Sequence, residues 1–128
     1  MGYRSNVKIF LVETDKKLEE IIEESKKIED FGYFTIGKNK KGDRVLSAEF
    51  NDAKWYQGYD LVSYWDNIMN KTDDSNYLFT KLGEQVDDVT IDGEYGKAHT
   101  FIDTIVDEEF GESYSFADIK YDVDFELE

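Results

Sequence analysis

The side chains with chemistry to offer are carboxylates, and they crowd into one end of the chain. Residues 84–128 hold fifteen Asp and Glu against two cations, Lys97 and Lys120, net −13. Residues 1–83 balance fifteen acids with thirteen Lys and Arg, net −2. Charge segregated like this bears on partners rather than on fold. Carboxylates can hold a divalent cation, exchange protons as an unequal pair, or meet the cations of another protein. The spacing is poor for the first two. Asp88-Val89-Thr90-Ile91-Asp92-Gly93 opens like an EF-hand loop, but position three is Thr90 and position twelve, which needs a bidentate Glu, is His99. Neighbours such as Asp87/Asp88 and Glu108/Glu109 point to opposite faces of a strand, which makes them poor acid–base couples. His99 is the only histidine, and there is no cysteine or second histidine to work with it. No catalytic residue, cofactor or metal ligand is predicted.

The remaining use is partner binding, with candidates Asp87, Asp88, Asp92, Glu94, Asp107, Glu108, Glu109, Glu112, Asp122, Asp124, Glu126 and Glu128. The clearest pattern lies at the end, where Ile119, Tyr121, Val123, Phe125 and Leu127 alternate with Lys120, Asp122, Asp124, Glu126 and Glu128. A strand of that kind is apolar on one face and acidic on the other. Its same-face carboxylates would stand about 6.8 Å apart, sparser than the one charge per ~1.7 Å of a DNA duplex. Neighbouring strands must add theirs before the surface resembles nucleic acid. Two such charges about 7 Å apart repel by roughly 0.6 kcal/mol in water. Tolerating many such pairs points to use, although solubility and edge protection also reward surface charge. Nucleic acid and anionic membranes are repelled, and a basic protein is the natural target. A second binding candidate is the aromatic group Trp55, Tyr56, Tyr59, Tyr64 and Trp65. Trp65 falls on a helix's apolar face and reads as core, while Trp55 and Tyr56 suit either role.

The elements that must position these residues follow from length and pattern. A chain of 128 residues, 40% apolar and 16% aromatic, is sized for one domain, 1–128, with a near-neutral core at 1–83 and an acidic β extension at 84–128. Without cysteine there are no disulfides, and without a signal-peptide core or an apolar run of about 18 residues the expectation is a cytosolic protein. Val7 to Val12 reads as a buried strand and Asp15 to Asp30 as an amphipathic helix with Thr14 as N-cap and Phe31-Gly32 as its stop. Tyr33–Ile36 and Arg44–Phe50 form a hairpin, Leu61 to Met69 a second helix, and Tyr77–Leu82 another strand. That order, βαββαβ, predicts an α+β, ferredoxin-like core with two helices on one face of an antiparallel sheet. Val89–Ile91, Thr100–Val106 and Tyr114–Leu127 extend it as β-strands; Thr100–Val106 also suits a helix face, but its Thr, Ile and Val favour strand.

Met1-Gly2-Tyr3-Arg4-Ser5, Lys54-Trp55-Tyr56, Gly58-Tyr59-Asp60-Leu61-Val62 and Phe79-x-x-Leu82-Gly83-Glu84 together resemble a group of small bacteriophage and prophage proteins that open with Met-Gly-Tyr-Arg-Ser. The resemblance covers roughly residues 1–90 and carries no activity over to any residue. It implies a phage product in the bacterial host cytoplasm, where small acidic proteins act as counter-defence inhibitors of the anti-CRISPR or anti-restriction type. The expectation is thus a non-enzymatic inhibitor that presents a nucleic-acid-mimicking face to a basic, nucleic-acid-binding host protein. Its rivals are a carboxylate-rich divalent-metal module or metal-dependent enzyme, and a virion structural or assembly protein.

Overall fold

Strand β1 (Ser5–Val12) is apolar on both faces and so belongs in the middle of a sheet covered on both sides. Val7, Ile9 and Leu11 point one way, Phe10 and Val12 the other, and all five are buried. The computed structural model describes residues 2–127, apart from the side chain of Tyr114. It is α+β, as the sequence predicts. After β1 come α1 (Leu18–Ile28), β2 (Tyr33–Lys38), β3 (Arg44–Ala53), α2 (Asp60–Asn70), a 3-10 turn (Asp74–Asn76), β4 (Tyr77–Gly83) and β5 (Val89–Gly93). The chain finishes with β6 (Lys97–Asp107), β7 (Glu112–Asp122) and β8 (Glu126–Leu127).

Six strands form one sheet in the order β5-β4-β1-β3-β2-β8, every neighbour antiparallel. Each helix therefore joins two strands that have a third between them: α1 links β1 to β2 across β3, and α2 links β3 to β4 across β1. Both helices lie on the same face, since Leu18 and Ile21 of α1 and Leu61, Val62, Trp65 and Met69 of α2 share one cluster with Val7, Ile9, Leu46, Ala48 and Phe50. At its centre the fully buried Trp65 donates from Nε1 to Ser25 Oγ at 3.1 Å, which satisfies the indole's polar edge inside the core.

Two expectations need correction. Thr14 does not cap α1. The helix starts four residues later, at Leu18, whose N–H donates to Glu13 Oε2 at 3.1 Å, and Arg44 Nη1 holds that same carboxylate at 2.8 Å. A side chain fixed from the neighbouring strand has taken over the free helix donor. Nor is the C-terminal segment one strand from Tyr114 to Leu127. The β6–β7 ladder runs out at its Lys97–Asp122 pair, the chain breaks, and Glu126–Leu127 joins the main sheet against β2. Gly37 makes room there, because a Cβ at that position would run into the Glu126 carbonyl.

This last segment closes the face that lacks helices. Phe10 meets the rings of Tyr121 and Phe125 edge-on, each at 5.7 Å between centroids, and Tyr121 Oη lies 2.7 Å from Thr80 Oγ1. Lys8 Nζ sits 4.9 Å from the Tyr121 ring centroid, a cation–π contact. Tyr95 ties the strap down by donating to the Asp124 carbonyl. Val45, Leu78 and Thr80 are buried beneath it. Among the described residues no helix is long and apolar enough to cross a membrane.

Candidate functional site

The acidic candidates separate into four places. Asp92 lies in β5, with Asp87, Asp88 and Glu94 beside it, at one edge of the sheet, whereas Glu126 lies in β8, at the other. With about 4.8 Å between strands, the two edges are some 24 Å apart. Asp107, Glu108, Glu109 and Glu112 surround the turn between β6 and β7, and Asp122 and Asp124 lie where that ribbon rejoins the body. Glu128 lies outside the described residues.

Several of these carboxylates serve the fold. Tyr3 Oη donates to Asp88 Oδ2 at 2.6 Å, and this bond is the chief reason the Tyr3 hydroxyl is raised above its ordinary pKa. Asp92 accepts from Tyr77 Oη at 3.3 Å and from the Gly93 N–H at 3.0 Å. Burial first, then the charges of Asp92 and Asp74, push Tyr77 up to about 12. Both oxygens of Asp124 accept from the Lys40 N–H, at 3.1 and 3.2 Å, pinning the β2–β3 turn to the strap. Asp107 Oδ1 takes the Glu109 N–H at 3.1 Å and the Phe110 N–H at 3.4 Å, forming the β6–β7 turn. Asp87, Glu94, Glu108, Glu109, Asp122 and Glu126 are exposed.

What the structure does assemble is an arm. Strands β6 and β7 pair over eleven residues each with no register shift, and among the described residues they pair only with one another. At 3.4 Å per residue the ribbon is about 34 Å long. Its root is anchored through Tyr121; among the described side chains of residues 101–118, all are exposed to solvent but those of Ala117 and Asp107, which are partly covered. Residues 100–118 carry six carboxylates and no cation.

The pairing register sorts the side chains. On one face Phe101 stands opposite Asp118, Asp103 opposite Phe116, and Asp107 opposite Glu112. Asp103 and Asp118 are thus diagonal neighbours, about 7–8 Å apart, and the two phenylalanines fill the other diagonal. Phe101 and Phe116 are 45% and 40% exposed, and Phe110 at the turn is 73% exposed. Carboxylates set among exposed aromatic rings suit arginine, whose planar guanidinium forms paired hydrogen bonds with a carboxylate and stacks on a ring.

Asp103, Asp118 and the three phenylalanines are absent from the residues the sequence singled out. A signal for them exists: Asp107 to Gly111 is a short, glycine-containing stretch between two β-prone runs, the mark of a hairpin. Folding the two runs about it brings the diagonals together.

The other candidates resolve as follows. Trp55 is buried in the core, packed on Phe50 at 5.2 Å between centroids, and the half-buried Tyr56 donates to the Tyr3 carbonyl at 2.9 Å. Beside them Arg4, Phe31, Asp52, Trp55 and Tyr59 line a cleft of about 320 Å³. His99 is exposed at the root of the arm. Among the described residues no three His, Asp or Glu side chains are grouped to hold a metal ion.

Comparison with known protein families, curated proteins and solved structures returns no match to this chain.

Proposed function

We propose that the protein is a non-enzymatic inhibitor whose arm lays its charged face in the nucleic-acid-binding groove of a basic partner protein. One observation supports this reading: residues 100–118 carry six carboxylates and no Lys or Arg, interleaved with exposed Phe side chains, on a ribbon whose two strands pair, among the described residues, only with one another. Lys and Arg lining such a groove pair with the carboxylates, the phenylalanines supply contact area and exclude water, and the groove is closed to nucleic acid. The arm needs no direct contact with nucleic acid or a membrane, both of which it repels. The setting, a phage product opposing a nucleic-acid-binding defence protein in the bacterial host cytoplasm, rests on the sequence resemblance. Divalent-metal binding finds no support in where the carboxylates fall, since Asp88 and Asp92 are engaged by Tyr3 and Tyr77.

The test is affinity capture from bacterial lysate at about 0.1 and about 1 M salt, where the screening length falls from roughly 10 to 3 Å. Wild type is run beside a variant carrying Asp103→Asn, Glu108→Gln, Glu109→Gln and Asp118→Asn. The expected result is a nucleic-acid-binding protein held at low salt, released at high salt, missed by the variant, and competed away by its own DNA or RNA. Capture indifferent to salt and to all four substitutions would move the site to the aromatic cleft. These residues, unlike Asp124, make no bond that pins the arm to the body, so the variant changes charge without loosening the strap.

A further inference from the structure

Strand β3 changes phase before it ends. Leu46, Ala48 and Phe50 join the core cluster under the helices on even positions, but Ala53 and, just past the strand, Trp55 join it on odd ones. The switch is a β-bulge: Asn51 and Asp52 together oppose Asn6 of β1, between the Val7–Phe50 and Ser5–Ala53 pairs. Asp52 takes a left-handed backbone there, with φ +54°, the one non-glycine to do so among the described residues. It is held by Asn6 Oδ1, which accepts from its N–H at 2.8 Å, and by Arg4 Nη1, which donates to its carbonyl at 3.2 Å. Bulges and held strain of this kind collect beside binding sites.

The bulge borders the cleft of about 320 Å³. Phe31, Ala53, Trp55, Leu61 and Val62 give it an apolar lining, and four charged residues complete it, Arg4 and Lys54 against Glu29 and Asp52. All four are exposed, and among the described residues none of them forms an ion pair. The Arg4 guanidinium donates to the Asp52 carbonyl through Nη1 alone. Two cations and two anions that share a cleft without pairing leave both signs of charge open to a ligand.

We propose that this cleft binds a small zwitterion with an apolar body, an α-amino acid with an aromatic or branched side chain. The body lies against Phe31, Trp55 and Leu61, the carboxylate meets Arg4 and Lys54, and the ammonium meets Glu29 and Asp52. Size agrees, since the volume sits at the low end of the roughly 300–1,000 Å³ of small-molecule sites and suits one amino acid rather than a larger cofactor. Net charge decides against simpler ligands. At −15 the chain as a whole repels an anion, and a cation finds denser carboxylates on residues 100–118. A molecule of no net charge escapes both effects. None of these residues lies on the arm, so the proposal stands whether or not the arm binds a partner.

Titration of the full chain with L-phenylalanine tests this, followed by calorimetry and by tryptophan fluorescence, since Trp55 lines the cleft while Trp65 is sealed in the core. Saturation is expected at about millimolar ligand, the range open to a molecule of about a dozen heavy atoms. Phenylpropionate, which lacks the ammonium, and phenylethylamine, which lacks the carboxylate, should each bind about tenfold more weakly, and glycine, which lacks the body, should not bind. Lys54→Gln and Glu29→Gln should each weaken L-phenylalanine by about tenfold. Circular dichroism and the urea midpoint should stay as in the parent, because both side chains are exposed and unpaired. Glu108→Gln/Glu109→Gln, on the arm, should bind as the parent does. No saturable binding of L-phenylalanine, equal binding of phenylethylamine, or an affinity unmoved by both Lys54→Gln and Glu29→Gln would each overturn the proposal.

Discussion

Body and arm are built from the same antiparallel strands and treat their faces in opposite ways. In the body each face has its own cover, two helices on one side and the Tyr121–Phe125 strap on the other, and β1, β3 and β4 bury nearly everything apolar they carry. In the arm Phe101, Ile102, Ile105, Val106, Phe110 and Phe116 are all exposed. A two-stranded ribbon in water is marginal by itself, and this one is held by its root. The difference teaches where the sequence spends its apolar residues: those of the body fold the chain, and those of the arm are left facing solvent. If that division holds, substitutions in the two regions must fall on different observables.

The largest expected effect is in the body. Trp65→Ala empties the centre of the core and strands the Ser25 hydroxyl, and should cost about 3–5 kcal/mol in urea unfolding. A cost near zero would mean the helices do not pack as described. Next comes Gly37→Ala. The added methyl collides with the Glu126 carbonyl, so β8 must leave the sheet or β2 must shift, at about 1–3 kcal/mol. Hydrogen exchange should show the loss at residues 121–127 and in β2, with the Trp65 core still protected. If exchange rises evenly across the body, the strap is part of a single cooperative unit with the core.

A smaller effect comes from acid. Arg44 holds Glu19 well below the usual carboxylate range, at about 2 against 4.5, and Lys16, with help from Tyr64, lowers Glu24. Groups depressed in the folded state stabilise it above their unfolded pKa and lose that contribution as pH falls through the folded one. The loosening of α1 should accordingly develop between pH 4.5 and about 2. Asp66 acts in the opposite sense: burial raises its carboxyl, so its ionised form costs stability and protonation relieves it. Both glutamates are solvent-exposed ion-pair members, which keeps the effect modest. Arg44→Gln should flatten the Glu19 part of the acid transition followed by tryptophan fluorescence; an unchanged transition would place its origin elsewhere.

The body was legible from sequence because burial writes a period. The Leu18–Ile28 and Leu61–Met69 stripes each show the 3.6 repeat of a helix face, and Val7 to Val12 is a short run rich in β-branched and aromatic residues closed by the turn residues Glu13-Thr14-Asp15. Two things were not written locally. The α1 cap depends on Glu13 being held by Arg44, thirty-one residues away in sequence, and Thr14 was the better local candidate. The break after Asp122 interrupts an alternation that continues unbroken to Leu127, because Tyr121 and Phe125 both face Phe10 on either side of it. For the candidate site, charge density singles out the last third of the chain. It could not rank carboxylates, since those bonded to Tyr3, Tyr77 or the Lys40 amide look the same in sequence as those on the arm.

The smallest expected effect on stability is also the sharpest test of the division. Replacing residues 101–118 by an Asn-Gly turn keeps the Thr100–Ile119 pair and everything below it, including Tyr121 on Phe10 and its contact with Thr80. The chain loses six carboxylates and every exposed apolar side chain of the arm, but no member of the buried core. Substitutions away from core, caps and networks usually stay within about 0.5 kcal/mol, so the trimmed protein should unfold at nearly the urea concentration of the parent. Its m-value should fall only slightly, because the residues removed were already exposed in the folded state. Partner capture should vanish. A large drop in stability would show that the arm supports the body through contacts near its root, and retained capture would return the binding site to the cleft beside Trp55 and Tyr59.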